Sequence, residues 1–408
     1  MAMSVSDSHP VERLHALDAV RGLALLLGIV LHATLSFIPA PIHFWMVEDR
    51  RPSFFLAILF FIIHIFRMTT FFLIAGFFAH LSFHRRGTRA FIRDRLRRIA
   101  LPLLIGWLIM FAIVVAVGWI FSGYALFHLW FLYVLLELYA AVLILRAVMV
   151  LIDRDGKIRG SADRLFIAVV RSPFGPAVAS IPVAILLAAD RQWLRATDLS
   201  PLLTGIPTPG AFLTSLRGLL AYGVAFGVGW FLHRNIELLQ ELARRWALNL
   251  CLAFALTTAI LCIITTSLTG GDTTSRSTLI ISIAAGVTCY ALAAWTATFA
   301  LIGLAIRFFS GFSSVRRYIA DSSYWLYLIH LPIVVGLQIA VSRLDWPWPV
   351  KFVAILAAAF SLLFASYQLF VRYTFIGAAL NGVRRSPQAR DARAKSFPWS
   401  RSVPSGSS

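Results

Sequence analysis

Ten apolar runs alternate with short polar segments along the chain: 17–38, 54–83, 99–121, 127–150, 174–190, 211–232, 246–268, 278–306, 321–342 and 350–376. A helix rises about 1.5 Å per residue, so roughly 20 apolar residues cross a hydrocarbon layer of about 30 Å. Each run is therefore predicted to be a membrane-spanning helix. The weakest is 174–190, broken by Pro182 and preceded by Pro173 and Pro176. The polar segments alternate in charge. His84–Arg98 holds Arg85, Arg86, Arg89, Arg93, Arg95, Arg97 and Arg98, and Arg146–Arg171, His233–Arg245 and Arg307–Arg317 are basic too. Ser122–Leu126 and Thr269–Thr274 carry no Lys or Arg. Basic loops stay in the cytoplasm, and ten crossings then put both termini there.

The expected fold is an all-α polytopic membrane protein, one bundle of about ten transmembrane helices over 1–380. A basic tail, 381–408, with Arg384, Arg385, Arg390, Arg393 and Lys395, is expected to be disordered and cytoplasmic. No internal repeat is visible, which weighs against a carrier built from inverted halves.

Composition agrees. Charged residues make up 13% of the chain and hydrophobic ones 59%, with a mean hydropathy of +0.81, where soluble domains average about 25% charged. The net charge of +19 comes from arginines beside apolar runs, so it reports membrane orientation and not nucleic-acid binding. Cys251, Cys262 and Cys289 lie inside apolar runs without metal spacing and read as small core residues; no metal is expected. The polar start Met1–Val11 leads straight into a full-length run, with no cleavable signal evident.

Ionisable residues inside these runs carry the chemistry. Asp18, Arg21 and His32 share one face of the first helix, with Arg21 and His32 about 16 Å apart along its axis. Such a stripe must face protein or a water-filled cavity. Asp18 and Arg21 alone also suit an interfacial anchor, and His32 alone suits a packing histidine. The second run holds His64 and Arg67, and Arg67 needs a partner at mid-membrane. Glu137 in the fourth run is the acid expected to approach it, as structural ion pair or substrate contact. Gly76 beside Ala75 offers a close-packing surface. Arg95 and Arg98 flank the cytoplasmic start of the third run, where guanidinium groups suit phosphates, although loop charge alone explains any one of them. His128 is placed at the outer interface, and Trp130, Tyr133 and Glu137 follow as a polar-tipped stripe or an aromatic belt. Tyr327 and His330 precede Pro332, whose kink would line a cavity or simply pack. Arg217 adds a further cation; Tyr367, Arg372 and Tyr373 read as anchors. The loop Arg191–Gly210 is positioned to cover the outer mouth.

Four of these patterns occur in order: Arg21-x10-His32 after Leu17-Asp18; Arg95-x-x-Arg98; His128-Leu129-Trp130-Phe131-Leu132; and Ser323-Tyr324-Trp325-Leu326-Tyr327-Leu328-Ile329-His330. Together the chain resembles the membrane-bound acyltransferase family 3, most closely its glucan succinyltransferase branch, over nearly its whole length. One departure is Ala75-Gly76, where the family often has Ser-Gly, so any role for that hydroxyl is absent. The resemblance implies acyl transfer, succinyl in the nearest branch, from cytoplasmic acyl-coenzyme A to a hydroxyl on an exported glucan or other carbohydrate. It also implies a bacterial inner-membrane location and no tightly bound cofactor. Membrane lipid, acyl-coenzyme A and a carbohydrate are the expected partners, and oligomeric state stays open, a homo-oligomer included.

The residues suit that chemistry independently. Arg21, Arg95 and Arg98 would hold the phosphates of the donor, with Asp18 orienting Arg21. His32 would act as general base or acyl carrier. Tyr327 and His330 would polarise the acceptor or the developing oxyanion. Arg67 or Arg217 would meet the distal carboxylate of a succinyl group. The competing class is a transporter or flippase for a sugar- or lipid-linked substrate, which would use the same intramembrane charges as a pathway.

Overall fold

The computed structural model describes residues 9–39, 45–116, 126–189, 205–206, 214–269 and 275–381. Among these residues the regular structure is all helical, with no strand. The helices are α1 (His9–Thr34), α2 (Phe54–Arg95), α3 (Leu101–Ala116), α4 (Trp130–Ile152), α5 (Lys157–Arg171), α6 (Gly175–Ala188), α7 (Leu216–Arg234), α8 (Leu239–Arg244), α9 (Trp246–Thr269), α10 (Arg276–Phe308), α11 (Ser314–Ser342), α12 (Trp348–Ser366) and α13 (Phe375–Asn381). Serine side chains start four of them. Ser53, Ser215, Ser275 and Ser313 accept the N–H of Leu56, Gly218, Thr278 and Arg316, satisfying donors that the first turn leaves unpaired.

Among the described residues, seven stretches are long and apolar enough to cross a membrane, and an eighth arises if α5 and α6 count as one broken span. The longest, Phe54–Ile113, runs for 60 residues and covers the expected span 54–83 and the larger part of 99–121. A straight helix of that length would measure about 90 Å. Gly87 interrupts it with φ 73° and ψ 173°, a conformation open to glycine and costly for other residues. The expected span 174–190 is corrected. Its helix, α6, has 14 residues, too short to cross alone, and meets α5 at a bend of 110°. The basic segment expected as a loop between Arg146 and Arg171 is largely helix, with Asp153 accepting the N–H of Ile158 and Arg159 ahead of α5.

Two helix pairs position the site. The first is α1 against α11, running parallel, since Arg21 meets Ala320 and His32 meets His330. The second is α2 against α7. Here Gly76 lies against the Phe226 carbonyl and Gly229 against the Leu73 carbonyl, so close that a Cβ at either position would overlap the facing backbone. Small residues let two backbones touch in this way. Gly76→Ala and Gly229→Ala are each expected to push these helices apart, lowering stability by about 1–3 kcal/mol, the usual range for overpacking. A thermal unfolding scan in detergent checks this, and an unchanged midpoint would contradict it.

Two expected packing roles change. Cys251 and Cys262 are exposed on the outside of the bundle instead of filling its core, while Cys289 is half-buried. Tyr367 is fully buried and not an interfacial anchor, and Arg372 stacks on Tyr318 and Tyr373 at 5.1 and 5.0 Å. The loop Arg191–Gly210, apart from residues 205–206, lies outside the described residues. So do most of Ser122–Leu126 and Thr269–Thr274, and the tail from 382.

Candidate active site

His32 and His330 meet in the middle of the bundle, Nδ1 of the first 2.8 Å from Nε2 of the second. Their protonation follows from one further contact. His330 Nδ1 lies 2.7 Å from the Tyr327 carbonyl, and a carbonyl oxygen only accepts, so Nδ1 of His330 carries a proton. In the neutral ring Nε2 then accepts, and His32 donates to it from Nδ1. That leaves the lone pair of His32 on Nε2. The arrangement is a base, a second imidazole that orients it and a carbonyl behind both, the same logic by which a third group holds a catalytic histidine in one tautomer.

A pocket opens beside this pair, lined by Gly28 and His32 of α1, Arg67, Met68 and Phe71 of α2, His128, Trp130 and Phe131, and Tyr327 and His330 of α11. His128, Tyr327 and His330 are buried, whereas His32, Arg67 and Trp130 keep part of their surface open. His128 sits on a 3₁₀ turn, Phe127–Leu129, that leads into α4. It does not lie at an outer interface as expected. Its ring is 4.9 Å from that of His330, and its Nε2 donates to the Leu328 carbonyl at 3.3 Å. Nδ1 of His128 is buried without a partner. The preceding Phe127 has φ +50°, and no other described non-glycine residue has positive φ. That conformation costs a bulky residue about 1–3 kcal/mol and is held in place because the Tyr327 hydroxyl donates to the His128 carbonyl at 2.7 Å. The proton of Tyr327 is thereby committed, so this residue shapes the pocket instead of offering its hydroxyl to a substrate.

Arg67 enters the pocket opposite Gly28, where a Cβ would stand 2.6 Å from Nη1. Its Nε is buried without a partner. The expected approach of Glu137 does not occur: among the described residues no carboxylate pairs with Arg67, and Oε2 of Glu137 is itself buried without a hydrogen bond. Glu137 instead neighbours Tyr133, and neither lines the pocket. Trp130 does, so the stripe Trp130, Tyr133, Glu137 divides between the pocket and the rest of the α4 face. The groups around Arg67 are phenols: Tyr327, and Tyr222 of α7, whose ring packs on Phe72 at 4.6 Å and on Trp130 at 5.5 Å. The result is a cation among phenols and imidazoles with no counter-ion among the described residues, an arrangement that invites an anionic or oxyanionic ligand. Arg217 lies at the first turn of α7 and is not part of this pocket.

Towards the N-terminal end of α1, Arg21 pairs with Asp18 at 3.0 Å and donates to the Ala320 carbonyl at 3.4 Å. One turn further along α11, the Tyr324 hydroxyl donates to the Arg98 carbonyl at 2.6 Å. Arg21 and Arg98 therefore flank the same stretch of α11. A π turn, Leu96–Ala100, carries Arg98. Asp94, which periodicity did not single out, gathers Arg86 at 2.7 Å, Arg98 at 3.2 Å and Arg95 at 3.7 Å. Arg95 lies over the rings of Phe91 and Tyr139 at 4.9 and 5.1 Å, its Nε buried without a partner. From this mouth a row of phenols runs inward, Tyr139 to Tyr324 to Tyr327, and ends at the histidines. The described residues hold no group of three metal-ligating side chains.

Sequence reasoning missed Trp45 and Gln338. Trp45 stacks on His32 with ring centroids 5.7 Å apart and planes 4° from parallel. Its indole N–H donates to Gln338 Oε1 at 3.0 Å, and the Gln338 amide donates to the carbonyls of His32 and Ala33 at 3.1 and 3.2 Å. Gln338 was visible as an uncharged polar residue in an apolar helix, but Trp45 lies between helices, where periodicity carries no information.

The chain is 35% identical over 95 residues to Glucans biosynthesis protein C of Escherichia coli (strain SMS-3-5 / SECEC), covering 23% of this chain and 24% of that one. It is 35% identical over 98 residues to proteins of the same name from Salmonella paratyphi B (strain ATCC BAA-1250 / SPB7) and Salmonella heidelberg (strain SL476), covering 24% of this chain and 25% of each. The matches thus span about a quarter of the length of these curated relatives. No solved structure matches the chain. The profile of the family described as Acyltransferase domain matches residues 14–368, which include every residue of the histidine pocket and of the arginine mouth. The chain belongs to this acyltransferase family.

Proposed function

We propose that this protein is an O-acyltransferase of the bacterial cytoplasmic membrane, moving an acyl group from cytoplasmic acyl-coenzyme A to a hydroxyl of an exported carbohydrate. The observation that carries this reading is the His32–His330–Tyr327 carbonyl chain, which leaves a basic nitrogen on His32 in a pocket that also holds an unpaired arginine. In this account Arg21, Arg95 and Arg98 take the phosphates of the donor, because guanidinium groups meet phosphate oxygens two at a time. Asp94 and Asp18 hold those arginines in place before the donor arrives. The acceptor hydroxyl attacks the thioester carbon while His32 Nε2 takes its proton. The tetrahedral intermediate collapses, the C–S bond breaks, and the thiolate leaves with the proton that His32 returns.

The acyl group in this reading is succinyl, whose far carboxylate pairs with Arg67. Support comes from the pocket itself, where Nε of Arg67 is buried without a hydrogen bond and no carboxylate among the described residues pairs with it, and from the resemblance to Glucans biosynthesis protein C. The test is a donor panel in proteoliposomes, with succinyl-, acetyl- and butyryl-coenzyme A and a membrane glucan extract as acceptor. Release of coenzyme A and transfer of label are expected with succinyl-coenzyme A first. Absence of release and transfer with every donor would overturn the proposal in favour of a transporter.

A further inference from the structure

We infer that Trp45 and Gln338 form the acceptor-side wall of the site, with Trp45 acting as a positioning residue for His32; this rests on the transferase reading above. His32 is held by two rings: Trp45 lies parallel to it with centroids 5.7 Å apart, and His330 meets its edge through the Nδ1–Nε2 hydrogen bond. His330 fixes its Nδ1, and Trp45 fixes the plane of the ring. Gln338 joins the two, since one end of its amide accepts from the indole and the other donates to the backbone of His32 and Ala33. It is 1% exposed with both ends of its amide satisfied, as a buried amide should be.

The segment that carries Trp45 is tied down on both sides of α1's end. Asp49 N–H donates to the Ser36 carbonyl at 2.8 Å and Ser53 N–H to the Phe37 carbonyl at 2.7 Å. The Asp49 carboxylate meets Lys351 Nζ at 2.9 Å through each oxygen, in a pair closed off from solvent. A buried pair of this kind adds little net stability over apolar residues, yet it specifies one geometry. Here it sets the position of the chain four residues beyond Trp45.

Direction makes the function of this wall specific. Arg21 lies towards the N-terminal end of α1, the donor end in the transferase reading, and the Trp45 segment follows the opposite end of the same helix. A phosphate-bearing donor held by arginines approaches from the first side, which leaves the Trp45 side for the acceptor. Trp45 is half-buried, so part of its indole is free to stack on the C–H face of a sugar while the rest holds the base. When His32 takes the acceptor proton, it becomes an imidazolium lying parallel to an indole, a favourable cation–π arrangement.

The experiment compares wild type with Trp45→Ala, Trp45→Phe and Gln338→Ala in proteoliposomes, each first shown to be monodisperse. Steady-state transfer is measured against acceptor and donor concentration, and coenzyme A binding is measured by calorimetry. Trp45→Ala is expected to lower kcat about tenfold, in line with the loss of one such contact, and to raise the acceptor KM about tenfold, with coenzyme A affinity unchanged. Trp45→Phe is expected to recover kcat to within about threefold, since a π face is restored. Gln338→Ala, with the aromatic ring retained, is expected to fall between the two. Unchanged acceptor kinetics in Trp45→Ala, a parallel loss of coenzyme A affinity, or no recovery with phenylalanine would overturn the inference and leave the transferase reading intact. A wild type that neither binds coenzyme A nor transfers label would remove both.

Discussion

Replacing His32 by alanine is expected to reduce acyl transfer by about 10²–10⁴-fold, the usual contribution of a positioned general base. Donor binding should stay unchanged, because Arg21 of the mouth lies roughly 16 Å away along α1 and Arg95 and Arg98 belong to other elements. His32 is half-buried and faces a pocket, so its removal enlarges a cavity without stripping the core. His330→Ala should produce a comparable loss for a different reason. It leaves Nε2 of His32 in place but removes the acceptor that holds its tautomer, and Tyr327 loses the donor to its carbonyl. The double variant should be little slower than either single one, since groups that act as a unit are not additive. Steady-state rates of the three proteins check this. Additive losses would mean that the two histidines act separately.

Arg67→Met is expected to lower transfer of a succinyl group about 10²-fold or more while leaving transfer from a neutral acyl donor within about tenfold of wild type. A buried charge pair that loses one partner leaves the other uncompensated, which costs about 3–5 kcal/mol. A neutral acyl group has no such partner to lose. Gly28→Ala should reproduce the effect in weaker form, since its methyl group would crowd Nη1 and shift the guanidinium without removing it. The competing role for Arg67 is to stabilise the oxyanion. In that case succinyl and acetyl transfer fall together, because every thioester develops the same charge. The ratio of the two rates in Arg67→Met is the quantity to measure.

The helical, membrane-embedded character of the chain and much of its site were legible in the sequence because lipid leaves few options for polar groups. A charge or an imidazole in an apolar helix must face protein, and 3.6-residue periodicity says which residues share that face. This reasoning put Arg21 and His32 on one stripe of α1 and placed His330 one turn after Tyr327. It failed where partners come from other helices. Arg67 was matched to Glu137 by charge, yet the fold surrounds Arg67 with Tyr222, Tyr327 and the open side of Gly28. His128 was placed by its distance from a run boundary, whereas a strained turn at Phe127 folds it back onto His330. Trp45 and Asp49 lie in a connecting segment, and nothing in the local pattern points to the indole over His32 or to the buried lysine at 351.

In the proposed reaction, donor and acceptor reach one histidine from opposite sides of the membrane. The most direct test places labelled succinyl-coenzyme A only on the cytoplasmic face of oriented proteoliposomes and the glucan acceptor only on the other. The account predicts that label appears on the acceptor without mixing of the compartments, and that Arg95→Ala/Arg98→Ala or His32→Ala stops it. Transfer only when both substrates share one side would contradict it.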